Sequence, residues 1–200
     1  RSHGYKVVLT GEGSDEILGG YDIFKEYKIR HFWASHADSR FRPLLLRRLY
    51  PYLKGIQAQP ESYLRAFFHV SPEDAGTPFF SHLPRWRMTE GLKVFLTPGA
   101  QAAVNGHSSY DDLQSQLPGE YTGWDGFSRA QYLEASYLMP GYILSSQGDR
   151  VAMAHAVEGR FPFLDCRLVE FASRLTPTLK MKVLDEKHLL KRCAKGLVPD

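Results

Sequence analysis

Residues 6–22 read KVVLTGEGSDEILGGYD and set four glycines beside four carboxylates. Glu12, Asp15 and Glu16 are spaced by three, one and four positions, so on a helical turn they can share one side. Glycines such as Gly11 and Gly13 expose backbone N–H groups and let a phosphate come close. Carboxylates beside phosphates repel them unless a cation intervenes. Mg²⁺ is the natural bridge, because it takes few carboxylates and keeps phosphate oxygens as ligands. The pattern therefore fits a nucleotide with Mg²⁺, although two familiar motifs fail. GxGxxG needs glycine where Glu16 stands, and a Walker A loop needs Gly-Lys-Ser/Thr. A purely structural reading also covers most of the stretch. Ser14 serves as a helix N-cap, Asp15 and Glu16 sit in a first turn that favours acid, and Gly11 and Gly13 make the turn. That reading leaves Glu12 without a role.

A second group of charges lies in MPGYILSSQGDRVAMAHAVEGRFPFLD, residues 139–165. Ser145, Ser146, Gly148, Ala152, Ala154 and Ala156 are small and allow close packing. Among them stand Asp149 and Arg150, then Glu158 and Arg160 with apolar neighbours. Charges in such company are rarely buried unless paired. Two readings stand: salt bridges that fix two helices, or a polar pocket for a small zwitterion, in which arginine grips a carboxylate and a carboxylate grips an ammonium. His155 reads as a hydrogen-bonded structural residue.

The elements that must position these groups are mostly helices. Tyr5–Thr10 (YKVVLT) reads as a buried strand and is the one convincing strand of the sequence. A strand that turns into a helix at its C-terminal end is where α/β folds bind nucleotides. One strand is not a sheet, so its partners are expected outside the chain. A helical stripe runs through Ile17, Tyr21 and Phe24 towards Phe32 and Trp33, with Gly19-Gly20 kinking or dividing it. Helices are expected from about Pro43 to Pro51, from Glu61 to Val70, and near Leu92 and Leu113. Others should begin after Asp125, near Tyr142 beyond a break at Pro140-Gly141, after Asp165, and after Asp185 up to Gly196. The basic segment with Arg40, Arg42, Arg47 and Arg48 reads as a solvated face.

Bulk properties exclude several classes. The 200 residues are 43% hydrophobic and 24% charged, an ordinary globular composition. A formal net charge of +3 is too small to imply nucleic acid or a membrane surface. No apolar run approaches the roughly 20 residues of a membrane helix. Cys166 and Cys193 are the only cysteines and form no CxxC, which disfavours a disulfide scaffold or zinc knuckle and fits a reducing cytoplasm.

VVLTGEGSDEILGGY resembles the first signature of the asparagine synthetase C-terminal domain, and LSSQGDRVAMAHAVEGRFPFLD resembles its second. EKHLLKRCAKGLVP is similar to the family's helix near the C-terminal end. The resemblance spans nearly the whole chain and is weak between about 36 and 125. It implies an α/β parent fold of the ATP pyrophosphatase (adenine nucleotide alpha hydrolase-like) type, of which this chain is the mainly helical part with one core strand. It also implies ATP and Mg²⁺ as cofactors, and adenylation of the aspartate side-chain carboxylate followed by displacement of AMP by ammonia from glutamine. On this basis Thr10 and Gly11, with Gly13, contact AMP, Glu12 sits at the adenylation centre, and Asp15 holds the Mg²⁺ that carries pyrophosphate. Asp149, Arg150, Glu158 and Arg160 become candidates for the acid-substrate pocket. The family's Ser-Gly-Gly-x-Asp-Ser loop is expected before Arg1, and a lysine in an Arg-x-Lys setting after Asp200. Residues 1–200 are thus expected to be part of a synthetase domain, inactive alone, with a glutaminase domain and a homodimer among the partners of the full protein. Adenylation of another carboxylate, as in β-lactam synthetases or peptide-cyclising relatives, is the alternative within the enzyme class. A non-catalytic helical module is the alternative outside it, and a basic-helix binding protein a remote third.

Overall fold

The computed structural model describes residues 3–199. It is mostly helical and divides into two compact units, residues 1–25 with 130–200 and residues 26–129.

The first unit carries the only sheet among the described residues. Strand β1 (Val7–Leu9) pairs in parallel with β2 (Glu158–Arg160), in the register Val7↔Glu158, Val8↔Gly159, Leu9↔Arg160. The flanking bonds extend the ladder, with Glu158 N–H donating to the Lys6 carbonyl and Thr10 N–H donating to the Arg160 carbonyl. Two expectations are corrected here. A partner of β1 lies within the chain, and β1 is not a core strand: Val7, Val8 and Leu9 are 47%, 43% and 73% exposed. Two short strands cannot cover their own faces, so apolar side chains on them stay open.

Beyond β1 the chain turns at Gly11–Gly13 into the short helix α1 (Ser14–Leu18). Gly19, at φ +71°, ends it, and helix α2 (Asp22–Ala34) follows, so the glycine pair divides the stripe. The rest of this unit is helical. Pro140 does not break the chain path as expected. It lies inside a wide helix with i→i+5 bonding, Glu134–Asp149, which continues directly into Arg150–Ala154. In that pattern proline forfeits one donor while its neighbours keep theirs. Asp165 caps Cys166–Ser173 as expected, accepting from Arg167 N–H at 2.9 Å. Asp185 does not cap the last helix. Lys187, at φ +49°, precedes His188–Ala194, and Asp185 instead accepts from His188 and Lys191. Leu18, Ile23, Phe24, Ala130, Leu133, Ala172 and Met181 are buried.

The second unit is a set of short helices and turns. Residues Arg42–Arg48 form a 3₁₀ turn where a longer helix was expected, while Glu61–Phe67 and Ser109–Ser115 are helical as expected. Asp125 caps Gly126–Leu133 through its Oδ1, which accepts from Phe127 and Ser128 N–H at 3.0 Å each. Asp125→Ala should therefore lower stability by about 1 kcal/mol, read as a shift in the urea midpoint. The buried Glu26 carboxylate is clamped by the Arg85 guanidinium at 2.8 and 2.6 Å. Arg30, fully buried, stacks over Phe80 at 4.3 Å. Among the described residues no helix is long and apolar enough to cross a membrane.

Candidate active site

The turn after β1 is built by glycines that cannot be replaced cheaply. Gly13 has φ +89°, and a Cβ there would lie inside van der Waals contact of Leu164 Cδ2, with Leu164 Cγ at 2.9 Å. Gly13, not Ser14, occupies the N-cap position, and no side chain caps the helix. Gly20 is crowded from its other side. A Cβ on it would collide with Asp15 Oδ1 and Lys187 Cε. The two glycines therefore let other chain segments close onto the turn.

Those segments are the ones the sequence singled out. β2, from the second signature, lies beside β1 and ends level with Leu9, its Arg160 carbonyl accepting from Thr10 N–H. Leu164, from the same signature, packs against Gly13. From the stretch that is similar to the family's C-terminal helix, Lys187 Nζ reaches Asp15 Oδ1 at 2.8 Å and Ser14 Oγ at 3.1 Å. Three stretches far apart in sequence thus meet at one knuckle of a few residues.

The polar atoms of the knuckle divide into satisfied and unsatisfied. Thr10 spends its N–H on the ladder, but its Oγ1 is buried and meets no hydrogen-bond partner among the described residues. Glu12 Oε2 is likewise buried and unpartnered. Gly11 is exposed at the surface of the turn. Buried polar atoms without partners are rare in folded chains, and each asks for an explanation. A hydroxyl and a carboxylate oxygen at the C-terminal end of a parallel strand fit a polar ligand there.

The three acids of the turn differ in exposure. Glu16 points inward, 2% exposed, and accepts from the Tyr21 hydroxyl at 2.9 Å. Burial pushes its carboxyl up from the ordinary 4.5, the charges of Asp15 and Glu134 push the same way, and the bond from Tyr21 offsets part of the shift. Burial and the neighbouring Glu16 push the Tyr21 phenol up as well. A raised carboxyl contributes most to stability when protonated, so that contribution is present below pH 4.5 and is lost as pH rises through the folded value. Glu16→Gln should flatten the stability curve above pH 4.5. Urea unfolding should find the variant more stable than the parent at pH 8 and level with it near pH 4.

Asp15 is part-exposed, its side chain 30% exposed, and already meets one cation, the Lys187 ammonium. Among the described residues no three of His, Cys, Asp or Glu gather as a metal cage. One carboxylate suits Mg²⁺ that arrives with phosphate oxygens as its other ligands, and the Lys187 ammonium already balances that carboxylate. The donor set fits Mg²⁺ in that form.

The acid-pocket candidates fall into two places. Glu158 and Arg160 share one face of β2 and pair with each other at 2.8 Å, 59% and 60% exposed. The pair joins two residues of one strand, not two helices. Asp149 and Arg150 are exposed where the wide helix passes into Arg150–Ala154. Arg160 is brought beside Thr10 through the ladder. In the second unit, a cleft of about 460 Å³ lined by Trp86, Glu90, Lys93, His107 and Tyr110 contains none of the predicted site residues. Sequence reasoning missed Lys187, and Gly20 as a packing site for its side chain.

A parallel strand pair, a glycine knuckle and unpaired buried oxygens at the strand end are the kind of arrangement that α/β folds offer to polar ligands. The chain belongs to the asparagine synthase family, which it matches over residues 1–200. Among curated proteins it is 32% identical to "Amidase chry2" of Gibberella zeae, over all of this chain and 31% of that protein. It is 29% identical to "Asparagine synthetase [glutamine-hydrolyzing] 1" of Bacillus subtilis, over 97% of this chain and 28% of that protein. It is 30% identical to "Putative asparagine synthetase [glutamine-hydrolyzing]" of Mycobacterium tuberculosis, with the same two shares of 97% and 28%. The chain therefore spans less than a third of the length of these relatives. No solved structure matches it.

Proposed function

We infer that this chain is part of the adenylating centre of a carbon–nitrogen ligase. That ligase activates the aspartate side-chain carboxylate with ATP and hands it to ammonia from glutamine. The observation that carries this reading is the meeting of the two signature segments and the C-terminal stretch at one knuckle, where Thr10 Oγ1 and Glu12 Oε2 are buried without partners among the described residues. Membership of the asparagine synthase family supports it.

A carboxylate is a poor acyl donor. Its attack on the α-phosphate makes a mixed anhydride, and pyrophosphate departs. Mg²⁺, when bound at Asp15, supplies charge neutralisation for that leaving group. Thr10 holds the nucleotide with its hydroxyl, and Gly11 and Gly13 keep side chains out of its path. Glu12 stands at the reacting centre. Lys187, whose ammonium stands beside Asp15, would offer a donor to a phosphate oxygen of the nucleotide. Arg160 releases Glu158 to take the carboxylate of the acid substrate, with Asp149 and Arg150 as further members of that pocket. In this reading residues 1–200 are part of a synthetase domain in a cytoplasmic, dimeric protein that also carries a glutaminase domain.

The test is ATP–pyrophosphate exchange by the full-length protein, with aspartate compared against other acids. Exchange dependent on aspartate is the expected result. Exchange with a different acid supports the second reading, amidation of another carboxylate. No exchange with any acid overturns both.

A further inference from the structure

We propose that Gln131 and Lys180 are positioning residues for the nucleotide knuckle, acting through the C-terminal end of α1. The proposal rests on the reading of that knuckle given above and adds the device that holds it.

Helix α1 has five residues and no side-chain cap, so it cannot hold its place by its own hydrogen bonds. Its C-terminal carbonyls need partners from elsewhere. The amides of Gly19 and Gly20 both go to the Asp15 carbonyl, the Gly20 bond measuring 2.8 Å. The next carbonyl, that of Glu16, accepts from Gln131 Nε2 across 115 residues of sequence. Gln131 Oε1 in turn accepts from Lys180 Nζ at 2.8 Å. Both side chains are buried, Gln131 belonging to a residue 8% exposed and Lys180 to one 3% exposed.

The order of the chain fixes its geometry. An ammonium only donates, so the amide must turn its oxygen to Lys180 and its nitrogen to Glu16. The carbonyl held in this way lies one residue after Asp15, on the same turn. Lys180 and Gln131 thus form a strut that keeps the Asp15 carboxylate facing Lys187 rather than free to swing with a loose helix end. Neither residue touches the ligand in this scheme.

Gln131→Glu in the full-length protein separates the strut from mere bulk. It keeps an oxygen for Lys180 and sets an acceptor against the Glu16 carbonyl, in the same volume. Hydrogen exchange should quicken over residues 14–20 and stay unchanged in the second unit. MgATP affinity, measured by calorimetry, should weaken roughly tenfold, the scale of one lost buried hydrogen bond. Lys180→Met, which removes the orienting donor, should move both readouts the same way, and it serves if Gln131→Glu does not fold. Unchanged exchange over 14–20 overturns the strut. Quickened exchange with unchanged MgATP affinity overturns its positioning role. If the parent protein binds no MgATP, the functional reading fails, and exchange over 14–20 alone then decides whether the strut exists.

Discussion

Gly13→Ala is expected to cost about 2–5 kcal/mol of stability, the sum of a left-handed backbone position occupied by a Cβ and a clash in a packed site. The two parts can be separated. Gly13 has φ +89°, and its new Cβ would press into the Leu164 side chain, with the Phe163 carbonyl carbon at 3.5 Å behind it. Truncating Leu164 to alanine removes the clash and leaves the backbone penalty. In a double-mutant cycle the pair should therefore be less destabilised than the sum of the single variants, by about 1–2 kcal/mol. Additive losses in urea unfolding would mean that Leu164 does not sit on Gly13. The result matters for function because this contact seats the second signature on the first. A chain with alanine at 13 must move the 163–164 segment away, and β2 lies just before that segment.

The legibility of these features in the sequence follows a physical rule. Local chemistry was readable where one residue bonds to its near neighbours. Asp125 and Asp165 cap the helices expected of them, because an N-cap needs only an oxygen and an amide two or three residues on. The glycines of the knuckle were readable as a turn, yet the reason for Gly13 and Gly20 was not. Gly13 is required by a side chain distant in sequence, Leu164, and Gly20 by the nearby Asp15 together with the distant Lys187. Strand β2 was invisible for a related reason. Glu158-Gly159-Arg160 has no apolar alternation, since its charged side chains are exposed and its pairing is made by backbone alone. Proline misled at position 140, where the usual rule assumes an α-helix and the chain winds wider. The inward turn of Glu16 was likewise hidden. Spacing places three acids within reach of one side, and it does not show that Glu16 turns inward to accept from the Tyr21 hydroxyl.

Asp15→Asn should separate catalysis from folding more sharply than any other change. The Asp15–Lys187 pair is 30% and 25% exposed, so its removal should shift stability by no more than about 1 kcal/mol. Asparagine keeps the shape and one oxygen for Lys187 while losing the charge that a metal needs. If Asp15 holds Mg²⁺, carboxylate-dependent ATP–pyrophosphate exchange by the full-length protein should fall on the order of 100-fold or more, beyond what residues that merely orient a ligand contribute. The Mg²⁺ concentration for half-maximal rate should rise in parallel. Gly20→Ala gives an independent route to the same phenotype. Its Cβ would displace the Asp15 carboxylate and the Lys187 stem while leaving both charges in the chain. A raised Mg²⁺ requirement in both variants, with near-parental unfolding in Asp15→Asn, would tie metal use to the position of one carboxylate. An undiminished rate with unaltered Mg²⁺ dependence in Asp15→Asn would instead leave Asp15 as half of an ion pair that only closes the turn onto Lys187.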